Sequence, residues 1–238
     1  MSRKSEEAYF GFTILDKRLF VASAESSKVE VYDLMNFTFI RRWKLKDLID
    51  PVDIVSCDRN KCLYIYDNKG VDQSKEILRV DPNGKLMNKW STKDDEGARL
   101  SVTKESNVIF AVNNKNKLNE YSPDGELIRE INLSDAGIST PWHAIKLGND
   151  LFMVSYWNSR NYKGTVSKVD ADGQLKKSFC GRPGSTLTHI NVPFHFFVDG
   201  NGFVMVADYE NRQVLLLDSD LEFKREILSN EKHGLGYI

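Results

Sequence analysis

The 238-residue chain contains few of the residues that mark specialised classes of protein. Its three cysteines are too few for a disulfide scaffold or a four-ligand zinc site. No apolar run approaches the roughly 20 residues that a membrane-spanning helix needs, and the polar N-terminus leads into no signal-peptide core. Neither sign of charge is in excess, since 33 Lys and Arg face 34 Asp and Glu. The sequence therefore predicts a cytoplasmic protein, and it argues against DNA and a membrane as partners.

Two of the cysteines, Cys57 and Cys62, flank the polar stretch Asp58–Lys61 in a predicted hairpin. They are therefore expected to face each other across two strands. Two interpretations stay open for this pair. The first is a pair of half-buried small apolar residues in a reducing compartment. The second is a cross-strand disulfide or redox pair.

What the chain does contain is a repeated turn between two predicted strands. The residues that lead into this turn are Tyr32, Val80, Tyr121, Val169 and Leu217, which are 48, 41, 48 and 48 residues apart. A period of 40–50 residues with four strands in each unit is typical of a β-propeller. The predicted fold is therefore all-β, a single propeller domain of four-stranded antiparallel blades, five of them recognisable, at about 9–50, 51–96, 97–140, 141–191 and 192–232.

Within each unit the strands differ in apolar content. The second strand is nearly continuous in apolar residues, as in Leu63–Tyr66 and Val108–Val112, which indicates burial on both faces. The last strand is more polar. In Arg41–Lys46, alternation predicts that charges point outward while Trp43 and Leu45 point inward. We therefore expect the first strands to be buried and the last strands to be exposed.

The fifth unit, residues 192–218, is similar to a known repeat. The residues that carry the likeness are Val192-Pro193, Val198-Asp199, Asn201-Gly202, Val206-Ala207-Asp208, Asn211-Arg212 and Val214, and they resemble the NHL-repeat pattern. Propellers of that family generally have six blades. The resemblance thus implies a six-bladed fold truncated at the C-terminus, in which residues 233–238 begin a further blade. The alternative is that the ring closes with five blades and that residues 233–238 take part in the closure.

The first strands carry the polar residues of greatest interest. Aligning the units places Asp53, Arg99, His143 and His195 at one equivalent position, with Gly11 near it in the first unit. In a propeller this position lies at one mouth of the central channel. One interpretation is a solvated polar channel. The other is a ligand or metal site in which His143, His195 and Asp53 hold zinc or calcium, although the fixed charge of Arg99 argues against a cation there.

Loops after the second strands supply a second candidate surface. Its residues are Trp157 and Arg160 in the fourth unit and Tyr209, Asn211 and Arg212 in the fifth. Exposed aromatic residues with Arg and Asn suit recognition of protein or single-stranded RNA. The alternative is that the aromatics pack on the neighbouring blade and that Asn211 caps its own turn.

Two functions follow from these patterns. The first is a non-catalytic binding module without a cofactor, similar to the C-terminal propellers of tripartite-motif ubiquitin ligases, although the cysteines of their RING and B-box domains are absent here. The near-zero net charge favours a protein partner over RNA. The alternative is a metal-dependent lyase or hydrolase, because the channel-mouth residues resemble the arrangement in propeller enzymes such as the amidating lyase and the lactonases.

Overall fold

The computed structural model describes residues 9–23, 27–46, 48–69, 75–93, 96–148, 150–158, 163–180 and 190–230. Their regular structure consists of β-strands and one short 3₁₀ turn at Asn113–Lys115. The strands form five four-stranded antiparallel sheets, which are the blades of a β-propeller. The predicted fold class is therefore confirmed. No helix in the described part of the chain is long and apolar enough to span a membrane.

The strands follow the chain order within every blade. Blade 1 contains β1 (Tyr9–Leu15), β2 (Arg18–Ser23), β3 (Lys28–Asp33) and β4 (Phe39–Trp43). Blade 2 contains β5 (Pro51–Cys57), β6 (Cys62–Asp67), β7 (Lys75–Val80) and β8 (Leu86–Lys93). Blade 3 contains β9 (Gly97–Val102), β10 (Val108–Val112), β11 (Lys117–Tyr121) and β12 (Leu127–Asn132). Blade 4 contains β13 (Pro141–Leu147), β14 (Leu151–Asn158), β15 (Lys163–Asp170) and β16 (Leu175–Phe179), and blade 5 contains β17 (Pro193–Val198), β18 (Val204–Asp208), β19 (Gln213–Leu217) and β20 (Phe223–Ser229).

The described residues belong to two compact units. Unit 1 comprises those of Met1–Val108 and Glu120–Ile128, and unit 2 comprises those of Ile109–Asn119 and Arg129–Ile238. The core of unit 1 contains side chains of blades 1 and 2, mostly from their second and third strands, and includes Phe20, Ile65 and Leu78. Unit 2 has two apolar clusters, one around Phe152 and the other around Phe196.

The second strands β6 and β10 are buried as predicted, whereas the first strands are not all buried. All residues of β6 and β10 are buried, because each lies between two strands of its own sheet and carries apolar side chains on both faces. The expectation of buried first strands is wrong for β17, where Phe194 and Phe197 are exposed. A first strand is the edge of its sheet, so only one of its flanks has a hydrogen-bonded neighbour.

A polar side chain closes each recurring turn. In blade 2, Asp81 Oδ1 accepts hydrogen bonds of 2.8 Å from the backbone N–H groups of Asn83 and Lys85. Ser122, Asp170 and Asp218 make the same pair of bonds in blades 3, 4 and 5. Short polar side chains favour turns for this reason, since they satisfy backbone donors that the strands leave unpaired.

Neighbouring blades of unit 1 are joined through tryptophan and glycine. Trp43, at the end of β4, lies against Gly84 in the β7–β8 turn, and a Cβ on that glycine would be 2.7 Å from the indole. Trp90 of β8 meets Gly125 in the same way, at 2.6 Å. The φ angles of Gly84 and Gly125 are +86° and +88°, so a side chain at either position would be strained as well as crowded. The prediction that Trp43 points inward is confirmed.

The two hairpin cysteines are register partners at the end of the β5–β6 pair. Both are buried and both are free thiols. Burial raises the pKa of the Cys62 thiol, while a hydrogen bond with Arg79 partly opposes that shift. A buried thiol with a raised pKa is a poor nucleophile, so the structure agrees with the interpretation of a reduced, apolar pair.

Candidate functional site

A β-bulge near its start distinguishes the first strand of four blades. The pairing register shifts between Tyr9 and Gly11, Pro51 and Asp53, Pro141 and His143, and Pro193 and His195. The residues that resume the register are Gly11, Asp53, His143 and His195. These four residues therefore hold the same place in the pairing register of their strands. Bulges bend a strand and re-aim its side chains, and they are frequent beside binding sites.

Asp53 links the first strands of blades 2 and 3 within unit 1. Its carboxylate accepts a hydrogen bond of 2.7 Å from the backbone N–H of Leu100 and one of 3.3 Å from Arg99 Nη1. Arg99 also donates to the carbonyl of Val52 at 3.2 Å. Gly11 lies close by, since a Cβ at that position would be 2.9 Å from Asp53. Asp53 is 3% exposed, so it acts as a joint between strands rather than as a group presented to solvent.

Burial raises the pKa of Asp53 to about 6, although the charge of Arg99 and the backbone donors oppose the shift. The ordinary pKa of an unfolded aspartate is about 3.9. Since the folded value is the higher one, protonated Asp53 stabilises the fold fully below about pH 4, and this contribution is lost as the pH rises through about 6.

Replacing Asp53 by Asn is expected to remove this pH dependence. The free energy of unfolding of the native protein, relative to that of Asp53→Asn, should fall by about 2 kcal/mol between pH 4 and pH 7. Urea unfolding of both proteins at four pH values measures the difference, and all other titrating groups cancel in the comparison. A constant difference across that range would show that Asp53 titrates normally.

His143 and His195 meet face to face in unit 2. Their ring centroids are 4.2 Å apart and their planes differ by 18°. His143 is buried and also contacts Phe196, with centroids 4.7 Å apart, whereas His195 is exposed. The lone pairs of imidazole nitrogens lie in the ring plane. In two nearly parallel rings, the nitrogen lone pairs therefore lie in two separate planes and do not converge on one shared ion.

In the described part of the chain, no group of three or more His, Cys, Asp or Glu side chains is placed to hold a metal ion. The three residues suggested as ligands, His143, His195 and Asp53, have other contacts. Asp53 is bonded to Leu100 and Arg99, and the two histidines stack on each other.

The most distinctive surface feature is a row of four aromatic rings on blades 4 and 5. Ring centroids are 6.4 Å apart for Trp157 and Trp142, 4.9 Å for Trp142 and Phe194, and 5.3 Å for Phe194 and Tyr209. Successive planes are tilted by 33°, 55° and 55°. Phe194 is 38% exposed and the other three rings are half-buried. We call these four residues the aromatic row.

The two central rings of the row are the extra residues of the two bulges. Trp142 lies between Pro141 and the register pair of His143, and Phe194 occupies the same place in blade 5. A regular strand would send alternate residues to opposite faces. The bulge interrupts that alternation at the same point in both blades, so both aromatic side chains can turn toward each other.

Backbone hydrogen bonds connect Phe194 and Tyr209, the two residues that blade 5 contributes to the row. The carbonyl of Val192 accepts from the N–H of Phe194 at 2.9 Å and from the N–H of Tyr209 at 3.0 Å. Phe194 lies at the start of β17, the first strand of the blade, and Tyr209 directly follows β18, the second strand. One carbonyl therefore fixes the spacing of these two rings.

Asp208 holds the link that carries Val192. It is fully buried, and its Oδ1 accepts from the N–H groups of Asn191 and Val192 at 3.0 and 2.9 Å. Its Oδ2 accepts from the side-chain amides of Asn211 and Gln213 at 2.7 and 2.9 Å. Asp67 makes the corresponding bonds to Ile49 and Asp50 in blade 2. The Asp of the Val206-Ala207-Asp208 sequence is thus a clamp on the preceding link.

The residues predicted for the second surface have different roles. Tyr209 and Trp157 are the two ends of the aromatic row. The side-chain amide of Asn211 donates to Asp208 Oδ2, so Asn211 supports the loop. Arg212 closes the same turn through its N–H, which donates to the carbonyl of Tyr209 at 3.0 Å. Arg160 lies outside the described residues.

Sequence reasoning did not identify Trp142 and Phe194 as site residues. Both lie in the tripeptides Pro141-Trp142-His143 and Pro193-Phe194-His195, in which the histidines are the candidate ligands. The available signal was a large aromatic residue repeated between proline and histidine in two units. Without the bulge, such a residue would have been assigned to the opposite face of the strand.

Comparisons with known proteins support the fold alone. The sequence matches no protein-family model and no curated protein. The structure is similar to that of a protein of unknown function from Bacteroides caccae, with a TM-score of 0.68 and 12% identity over 97% of this chain and 85% of the other. It is also similar to hydrazine synthase from Kuenenia stuttgartiensis (TM-score 0.69, 15% identity, 89% and 65% covered) and to virginiamycin B lyase from Staphylococcus aureus (0.66, 12%, 93% and 70%). Identities this low carry no function across.

Proposed function

We propose that the protein is a non-catalytic propeller module that binds an extended segment of a protein partner along the aromatic row. The observation that carries this proposal is the row itself, four partly exposed rings in mutual contact and held by two bulges and one buried clamp. Partly exposed Trp, Tyr and Phe are enriched at the centres of protein interfaces. Rings fixed in advance lose little entropy on binding, which favours affinity.

The resemblance of residues 192–218 to the NHL-repeat pattern supports this proposal, because propellers of that family display a face to protein or RNA partners. The roles of Asp208 and Asn211 in the loop explain part of the pattern physically, since both hold the link that positions Phe194 and Tyr209. Protein is favoured over RNA by the charges beside the row. Tyr209 is followed by Glu210 and Arg212, whose opposite charges give no net attraction for phosphate.

Removing the central rings is expected to abolish binding. A library of random linear peptides selected against the native protein should yield binders whose affinity drops at least tenfold in Trp142→Ala and in Phe194→Ala, since a central aromatic is worth more than about 1.4 kcal/mol. Phe197→Ala is the matched control, because Phe197 lies in the same strand and is 54% exposed but has no place in the row. Fluorescence anisotropy of labelled peptides measures each affinity.

Failure would take one of two forms. Selected peptides that bind Phe194→Ala as well as they bind the native protein would exclude the row as the binding surface. An oligouridine strand that binds in place of any peptide, with a steep dependence on salt, would favour RNA.

The alternative function, a metal-dependent lyase or hydrolase, rests on fold likeness to proteins such as virginiamycin B lyase and on His143, His195 and Asp53. Metal analysis of the purified protein tests it. Stoichiometric zinc or calcium that disappears in His143→Ala/His195→Ala would favour the enzyme, because those rings would then be ligands. The stacked geometry of the two histidines favours the binding module.

A further inference from the structure

We infer that the segment recognised by the aromatic row is proline-rich and binds in the polyproline II conformation. This inference rests on the proposed function and adds the chemistry of the ligand. It is carried by three properties of the row: the tilt between its rings, their spacing, and the absence of charge on the four side chains.

The tilt of the rings suits pyrrolidine rings better than flat bases. The planes of Trp142 and Phe194 differ by 55°, and so do those of Phe194 and Tyr209. Rings inclined at this angle bound V-shaped furrows between them. A proline ring is compact and puckered and can lie in a furrow, whereas a nucleobase needs one flat face on which to stack.

The spacing of the rings matches the repeat of the ligand helix. Polyproline II has three residues per turn and rises about 9 Å in each turn. Two successive steps of the row, from Trp142 to Phe194 and from Phe194 to Tyr209, have centroid separations of 4.9 and 5.3 Å. One helical turn is therefore close in length to two such steps taken together.

Electrostatic complementarity points to the same ligand. The four side chains of the row are uncharged, and the flanking Glu210 and Arg212 carry opposite charges. An uncharged segment is therefore the complementary occupant, whereas an acidic or basic peptide meets one like charge. Polyproline II makes no internal hydrogen bonds, so its carbonyl groups can accept from an indole N–H group.

The low entropy of such a ligand adds to the argument. Proline fixes φ, so a proline-rich segment is largely extended before it binds. The row is held by the bulges at Pro141 and Pro193 and by the Asp208 clamp, and so it is also fixed in advance. Association of two preformed surfaces has a small ordering cost.

The test uses the full chain, labelled with ¹⁵N, and a peptide of ten prolines. The protein has four tryptophans, and their indole N–H signals report separately on the row and on the rest of the molecule. Decaproline is expected to shift the signals of Trp142 and Trp157 in a saturable way. The signals of Trp43 and Trp90 should stay in place, because these indoles are packed against Gly84 and Gly125 in unit 1.

Two controls make the outcome decisive. A ten-residue Gly-Ser peptide should produce no shift, and Phe194→Ala should weaken decaproline binding about tenfold or more. Phe194 is 38% exposed, so its truncation is expected to leave the fold intact, and an unchanged thermal transition checks that point. Equal shifts with both peptides, or no shift of Trp142 and Trp157, would overturn the inference.

The result can be separated from the proposed function. Random-peptide binders that depend on Phe194 but contain no proline would overturn the polyproline assignment and leave the peptide-binding function standing. The absence of any binder that depends on Phe194 would overturn both. Decaproline binding that requires Phe194 supports both.

Discussion

Asp208→Ala is expected to lower the free energy of unfolding by about 4 kcal/mol, because it removes one carboxylate that satisfies four buried or partly buried donors. The N–H groups of Asn191 and Val192 lose their acceptor, and so do the side-chain amides of Asn211 and Gln213. Asp208 and Gln213 are 0% and 4% exposed, so water cannot readily replace the lost bonds. Urea denaturation at pH 7 measures the effect.

The matched control for this change is Asp199→Ala. Asp199 also accepts two backbone hydrogen bonds, from Asn201 and Phe203, but it does so in an exposed turn where water can substitute. We expect a loss of about 1 kcal/mol there. Equal losses for Asp199→Ala and Asp208→Ala would contradict the clamp, since Asp208 is buried and accepts two further hydrogen bonds, from Asn211 and Gln213.

Loss of the clamp is also expected to weaken binding. Val192 carries the carbonyl to which the N–H groups of Phe194 and Tyr209 donate, and Asp208 holds Val192. Releasing that link frees two rings of the aromatic row from their fixed spacing. Peptide affinity of Asp208→Ala, measured where the variant is still folded, should therefore fall without the removal of any residue that contacts the ligand.

The second large effect is expected from Gly164→Ala in β15. A Cβ at Gly164 would be 2.3 Å from both the carbonyl oxygen of Asn191 and Cδ of Pro193. These are backbone and ring atoms, so they cannot turn aside as a flexible side chain would. The link before β17 must move outward, and we expect a loss of about 3 kcal/mol in the free energy of unfolding. Thermal and urea unfolding measure it.

Gly200→Ala is the control for backbone entropy and for the alanine methyl group itself. Nothing lies within 4 Å of a Cβ at Gly200, so the change should be within about 0.5 kcal/mol of neutral. The Gly164 variant should also shift the indole signals of Trp142 and Trp157, because Pro193 immediately precedes Phe194. Equal free energies of unfolding for Gly164→Ala and Gly200→Ala would show that β15 does not pack tightly against Asn191 and Pro193.

Much of the fold could be predicted from local sequence. The strand Val108–Val112 matches its predicted run residue for residue, because the run is apolar throughout and polar residues follow it. Other ends were displaced. β6 extends one residue beyond each end of the predicted run Leu63–Tyr66, since Cys62 and Asp67 still pair with Cys57 and Glu76 through backbone groups that are insensitive to side-chain polarity. The prediction of a sixth blade stays open, because residues 233–238 lie outside the described residues.

The candidate site could be predicted only in part. The equivalence of Asp53, His143 and His195 was predicted from the tripeptides that contain them, and each of the three residues directly follows the register shift of its strand. Their contacts could not be predicted in this way. Whether Asp53 accepts from Leu100 or faces solvent depends on how the neighbouring first strand approaches, and that contact spans 47 residues of sequence.

The sequence by itself determined the period, the five four-stranded units and the turns, because these depend on residues that are close along the chain and on their alternation. The tertiary structure alone decided that Trp142 and Phe194 meet, because the contact joins two blades and requires a bulge in each. It also decided that the conspicuous histidines stack on each other while the aromatic residues beside them are the exposed, connected surface. Side-chain direction at a bulge is set by backbone pairing between strands. This pairing depends on two strands together, so it cannot be predicted from the sequence of either one.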